Sequence, residues 1–392
     1  MAGHAAAEKG PSSLSAAQEL VINGKSQPSS DGATFTVRNP MTGHAIYECA
    51  NATVDDYSRA IDTAHEAFES WSATGPSARR LIFLKAADII ESYLEADAPE
   101  ILSSEVSATT SWVKVNIHAT AGIFREAASL ATHIRGEIVP ADRPGTKILI
   151  ERQALGGKAP VIVRADADLD EAVNAIVYGA LAYSGQVCMS TERAIVHRSV
   201  AAELQTRVLA HIAALRCGNH LEDAAVSVSG LFTAASARRV VDLVKEAVDG
   251  GAELLAGDME ISGPCGTIVK PHVLRGVGRS ARMYHEEIFG PVLMLTEFDT
   301  DDEAVELAND SDYSLCASIF SRDIMTAMDL AGRVRAGSCH INGPTVYAES
   351  SLPNGGTGGG SGYGRFGGMS GVAAFTETKI ITLAKPGLRF SL

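Results

Sequence analysis

The chain contains no run of about 18 uncharged apolar residues, so a membrane-spanning helix is not expected. Its six cysteines (Cys49, Cys188, Cys217, Cys265, Cys316 and Cys339) form no C-x-x-C pair and no zinc-like spacing. Neither a disulfide framework nor a cysteine metal site is therefore expected. Basic residues are the minority. The 33 Lys and Arg against 47 Asp and Glu give a net charge of −14, and an acidic surface repels nucleic-acid phosphates and anionic lipid. No nucleic-acid or membrane partner is expected. Residues 1–15 are small and polar, without the apolar core of a secretion signal, and a cytoplasmic, reducing location is the expectation.

What is present fits a globular enzyme. A length of 392 residues exceeds what one compact core supports, so more than one domain is expected. Hydrophobic content of 46% with 20% charge rules out a mainly disordered chain. The acidity does not exclude a dinucleotide, because a helix N-terminus can hold a pyrophosphate on an acidic protein.

Along the chain, Leu20-Val21-Ile22 before Asn23-Gly24 predicts a strand and tight turn, and Phe35-Thr36-Val37 a further strand. Apolar spacing predicts helices over 54–71, after Pro76, and over about 115–134, each read as an amphipathic helix facing a core. Residues 136–153 read as an extended hairpin. From Val161 the pattern alternates: strand 161–163, a helix after Asp168, strand 194–196, helices near 202–215 and 235–248, strand 292–295 and a helix over 302–309. That rhythm predicts a layered α/β domain. The glycine-rich stretch 353–371 reads as loop.

One cysteine stands apart. In Tyr183-Ser184-Gly185-Gln186-Val187-Cys188-Met189-Ser190, the thiol falls between a predicted helix and a predicted strand, among small and polar residues. Such a loop can expose sulfur to backbone N–H groups that lower its pKa and receive developing negative charge. A buried, inert thiol is the alternative, and is the reading for the other five cysteines. By residue type alone, Glu287 also reads as a surface ion-pairing acid, Phe289 as core, and Lys158 as an ordinary surface lysine.

Five segments in order carry a wider signal: Leu155-Gly156-Gly157-Lys158-Ala159-Pro160, Asp166-Ala167-Asp168-Leu169-Asp170, Gly185-Gln186-Val187-Cys188, Glu286-Glu287-Ile288-Phe289-Gly290-Pro291-Val292, and Gly362-Tyr363-Gly364-Arg365-Phe366-Gly367-Gly368. Together they resemble the aldehyde dehydrogenase superfamily. The resemblance implies an α/β, aldehyde-dehydrogenase-like layered fold with a Rossmann-like cofactor part, a catalytic α/β domain and an oligomerisation hairpin. The implied organisation is a loose arm (1–15), the first part of the cofactor domain (16–135), the hairpin (136–153), the catalytic domain (154–345), a return segment (346–374) and an oligomerisation tail (375–392). It also implies a homodimer or homotetramer, NAD or NADP as cofactor, and an aldehyde as substrate. Cys188 matches the family's nucleophile, which forms a thiohemiacetal and then a thioester. Glu287 matches the residue on the nicotinamide-side ribose, and Phe289 one that packs beside the cofactor.

The chain departs from the family at one place. A segment of on the order of a hundred residues, normally found between the matches to Ile150-Glu151-Arg152-Gln153 and Leu155-Gly156-Gly157-Lys158, is absent, and Ala154 joins its two ends. With it go the Pro-Trp-Asn motif of the oxyanion donor, the ribose-binding lysine, the Gly-Ser-Thr-x-x-Gly pyrophosphate turn and the general-base glutamate. The cofactor part is therefore expected to be truncated, with apolar faces of the remaining sheet left uncovered. Ile341-Asn342-Gly343-Pro344-Thr345-Val346 leading to Leu352-Pro353 is similar to the aryl-aldehyde branch, which points to an aromatic or hydrophobic substrate. Two other readings stand beside aldehyde oxidation. One is a catalytically silent relative or misjoined product acting as an assembly partner; the other is a cofactor-free cysteine esterase.

Overall fold

The computed structural model describes residues 18–131, except 73 and 97, and residues 156–374. The predicted arm 1–15, hairpin 136–153 and tail 375–392 lie outside the described residues, as does the junction at Ala154.

The centre of the fold is a seven-stranded sheet. Its spatial order is Ser338–Ile341, Cys316–Phe320, Ala159–Val163, Thr191–His197, Val292–Phe298, His272–Arg275 and Glu253–Ala256. All neighbours pair in parallel except the last two, which pair antiparallel. Strand side chains alternate between two cores. Val161, Val163, Ala194, Val196, Leu293 and Leu295 face the helices Leu169–Leu181 and Arg198–Ala213. Ile162 and Ile195 point the other way, onto the helices Asp301–Asn309 and Ile324–Arg333. Val292, Met294 and Leu274 point to that same side, onto the helix Ala234–Asp249. Cover on both faces is why these strands read as near-continuous apolar runs, and this confirms the predicted α/β layering.

Local chemistry sets the element boundaries. Asp168 accepts from the N–H groups of Asp170 and Glu171 and so starts the helix Leu169–Leu181, as its position before the apolar pattern predicts. Leu20–Ile22 forms the predicted strand and Asn23 (φ 54°) and Gly24 (φ 68°) the predicted turn, but the returning strand is Lys25–Gln27, and Thr34–Arg38 pairs instead with Ala45–Ala50. Within the stretch read as loop, residues from Gly368 onward instead form the helix Gly368–Ala374.

The amino-terminal helices correct a second expectation. Val54–Ser72, Pro76–Ser92 and Thr110–Leu130 form where the periodicity places them. Their apolar faces are not all core. Tyr57, Ile61, Phe68, Leu81, Ile82 and Ile89 are exposed. The central sheet is covered, and it is these helices that present uncovered apolar surface.

Candidate active site

Four segments meet at the amino ends of adjacent central strands. Gly156–Lys158 precedes the strand Ala159–Val163, Cys188 precedes Thr191–His197, Glu286–Phe289 precedes Val292–Phe298, and Tyr313–Leu315 precedes Cys316–Phe320. Open parallel sheets usually bind ligands at the carboxyl ends of their strands. Here the chemistry-bearing side chains gather at the opposite edge.

Cys188 sits in the loop the sequence singles out. The helix Leu169–Leu181 ends in a tight turn, Ala182–Gly185, where Tyr183 (φ 50°) and Ser184 (φ 57°) adopt the left-handed conformation that L residues disfavour. Their surroundings hold that geometry. Tyr183 donates to the Val106 carbonyl at 2.9 Å, and its ring stacks on Trp112 at 5.4 Å. The Ser184 hydroxyl donates to the Ser229 carbonyl at 2.9 Å and accepts the Ser229 N–H at 3.1 Å. Gln186 spans the loop, accepting the Phe232 N–H at 2.8 Å and donating to the Tyr183 carbonyl at 3.2 Å. A Cβ on Gly185 would run into the Gly290 carbonyl, which ties this loop to the segment ahead of the strand Val292–Phe298.

The thiol itself is half-buried. Burial first, and then the nearby Glu287 carboxylate, push the Cys188 pKa up; the N–H groups of Cys188 and Met189 pull it down. The balance corrects the expectation of a thiol activated by its loop. The net shift is upward. Among the other cysteines, burial raises Cys316, Cys217 and also Cys339, the last to about 11, in keeping with inert thiols.

Glu287 lies beside this loop. Its Oε1 accepts the Gly157 N–H at 3.1 Å, and a Cβ on Gly157 would collide with the Cys188 carbonyl oxygen. Gly157 is thus the joint between the carboxylate and the thiol loop. Burial pushes the Glu287 carboxyl up to about 7, opposed by the Gly157 N–H and reinforced by the charge of Glu192. Phe289 is not core. It is 42% exposed and held at φ 53°. Lys158, read from its type as a surface lysine, is fully buried, because its ammonium donates at 2.7 Å both to Glu192 Oε2 and to the Glu286 carbonyl. Burial pulls its pKa down while the Glu192 charge pulls it up.

Glu192, Arg193 and Arg239 also contact the segments of this candidate site and are not singled out in the sequence. The signal was available: Glu192 and Arg193 are two adjacent charges in a strand just before the buried apolar run Ala194-Ile195-Val196, a costly placement without a purpose. Arg193 is buried with its guanidinium on the carbonyls of Lys158, Leu307 and Ala308. Arg239 caps the carbonyls of Glu287 at 2.7 Å and Ile288 at 2.9 Å. Among the described residues, no group of His, Cys, Asp and Glu is arranged to hold a metal ion.

A profile described as the aldehyde dehydrogenase family matches residues 27–156 and 154–381. A vanillin dehydrogenase of Pseudomonas fluorescens is 32% identical over 479 aligned positions, covering 93% of this chain and 97% of that protein. An NAD(+) benzaldehyde dehydrogenase of Pseudomonas putida is 36% identical over 59% of this chain and 46% of that protein. Among solved structures, a salicylaldehyde dehydrogenase from Pseudomonas putida G7, complexed with salicylaldehyde, superposes with a TM-score of 0.90 at 29% identity, over 96% of this chain and all of that one. The profile breaks and restarts at residues 154–156, and the 479 aligned positions exceed the 392 residues of the chain, so the relative carries a block that this chain lacks.

Proposed function

The chain belongs to the aldehyde dehydrogenase family, whose members are oxidoreductases acting on aldehydes, and from that premise we propose that it oxidises an aromatic or other hydrophobic aldehyde to its acid through Cys188. NAD or NADP is the acceptor in this reading, and NAD(+) is the one named for the benzaldehyde dehydrogenase relative. The Cys188 thiolate adds to the aldehyde carbonyl, and the thiohemiacetal goes on to a thioester that water hydrolyses to the acid, regenerating the thiol. The cofactor, when bound, accepts the hydride that the carbonyl carbon loses.

The described residues suit the nicotinamide end of such a cofactor. A half-buried carboxylate on Glu287 offers acceptors for ribose hydroxyls, and the exposed Phe289 ring offers a face beside the nicotinamide. The sequence holds no Gly-Ser-Thr-x-x-Gly turn for the pyrophosphate and no Pro-Trp-Asn oxyanion donor. The observation that carries the reading is the joint at Gly157, which brings the Glu287 carboxylate and the Cys188 loop together.

The break in the profile at residues 154–156 favours a second reading, a catalytically silent relative that assembles with intact subunits. The separating experiment follows NADH and NADPH formation by the purified chain with a panel of aromatic and aliphatic aldehydes, alongside Cys188→Ser. Turnover lost in Cys188→Ser supports the first reading. Folded protein without turnover supports the second, and co-purification with a full-length homologue confirms it.

A further inference from the structure

We propose that the buried pair Lys158–Glu192 is a positioning device that fixes the segment Glu286–Phe289 and thereby sets the Glu287 carboxylate against the Cys188 loop. The inference deepens the reading of the site given above and rests on it for the purpose of that placement.

Five backbone groups of the turn are held by charged side chains. Lys158 Nζ donates to the Glu286 carbonyl at 2.7 Å. Arg239 takes the carbonyls of Glu287 and Ile288. Glu192 Oε1 accepts the Ile288 N–H at 2.8 Å and the Phe289 N–H at 3.2 Å, while its Oε2 accepts Lys158 Nζ at 2.7 Å. The two carboxylate oxygens therefore do different jobs: one is anchored by the lysine and the other holds the turn.

The turn needs holding. Phe289 sits at φ 53°, a conformation costly for an aromatic residue and kept only where the surroundings over-determine it. Gly290 follows with no room for a side chain against Val240. A buried ion pair is weak evidence of a stabilising role, because well-packed apolar residues often serve stability as well. What apolar residues cannot supply is an acceptor for two adjacent N–H groups. The consequence reaches the thiol through Glu287, whose side chain accepts from Gly157 while Gly157 abuts Cys188. The charged groups acting on Glu287 are Glu192, Lys158 and Arg239, and the carboxylate acting on Cys188 is Glu287.

The test is the pH dependence of Cys188 alkylation by iodoacetamide, followed on the Cys188 peptide by mass spectrometry with the full chain, beside the urea midpoint of each variant. This readout reports the thiol directly and stays informative whether or not the chain turns over, so failure of aldehyde oxidation and failure of this proposal are distinguishable. Glu287→Gln removes the charge opposing the thiolate and is expected to raise the rate at pH 7 by about threefold or more. The double variant K158M/E192L removes both charges and the acceptor. It is expected to fold and to shift the profile as Glu287→Gln does, with nothing added when the three changes are combined. K158M/E192Q keeps an acceptor for Ile288 and Phe289 and is expected to stay near the native profile, a rescue that a purely structural pair would not show. A native profile in folded K158M/E192L, or shifts that add to that of Glu287→Gln, overturns the proposal. Should K158M/E192L not fold, Glu192→Asp decides. It keeps the charge but draws the acceptor back from the turn, so a shifted profile supports the proposal and an unchanged one overturns it.

Discussion

No side chain fits between the α-carbon of Gly157 and the backbone carbonyl of Cys188. The contact joins two neighbouring strands at their amino ends, and the N–H of the same glycine is donated to Glu287. Gly157→Ala must therefore push the cysteine loop away or break that hydrogen bond. Overpacking of this kind costs about 1–3 kcal/mol. Urea unfolding should show that loss, and alkylation of Cys188 should change by at least several-fold. A variant with native stability and native thiol reactivity would mean the contact has slack.

Glu287 makes stability depend on pH. Its carboxyl is raised by burial from 4.5 to about 7, so across that interval the folded chain holds a proton the unfolded chain has released. The contribution of this group is present below pH 4.5 and is lost as pH rises through about 7. Glu287→Gln does not titrate. Its unfolding free energy relative to the native chain should therefore rise between pH 5 and pH 8, as measured by urea titration at each pH. A flat difference would show that Glu287 is not held protonated.

Much of this was legible in the sequence, for identifiable reasons. Asp168 marks a helix start because a carboxylate there can take two free N–H groups. Cys188 stands out because a thiol between helix and strand lies outside the apolar pattern. Lys158 misled, because residue type predicts a surface position and nothing local reveals that Glu192, on the neighbouring strand, neutralises it. Phe289 read as core for a similar reason: only tertiary contacts hold it in a left-handed turn that leaves the ring exposed. The thiol's upward shift depends on burial and on Glu287, neither of which is local in sequence.

Among the described residues Arg193 has no carboxylate in direct contact, yet it is buried, and burial brings its pKa down to about 10. Its guanidinium donates at 2.9 Å to the carbonyls of Leu307 and Ala308, at the carboxyl end of the helix Asp301–Asn309, where a cation meets the negative end of the helix dipole. It also donates to the Lys158 carbonyl at 3.2 Å, linking that helix to the site. Arg193→Met would remove a donor from each of three carbonyls, in a site where the lost charge is buried, and should cost roughly 3–5 kcal/mol. Arg193→Lys keeps the charge but cannot reach all three, and should recover only part of the loss in the same urea titration.

The amino-terminal helices carry apolar faces that the described residues leave exposed. Ile61 and Phe68 sit at helical spacing on Val54–Ser72, with 68% and 60% of their surfaces exposed. Their periodicity is that of a helix facing a core, and the described residues provide none there. Ile61→Lys should therefore leave the urea midpoint within about 0.5 kcal/mol of native and reduce self-association in light scattering. Ile162→Ala, on a fully buried strand residue of identical type, should cost about 2–5 kcal/mol. A loss at Ile61 as large as that at Ile162 would mean that this helix face is covered in solution, with the cover supplied from outside the described residues.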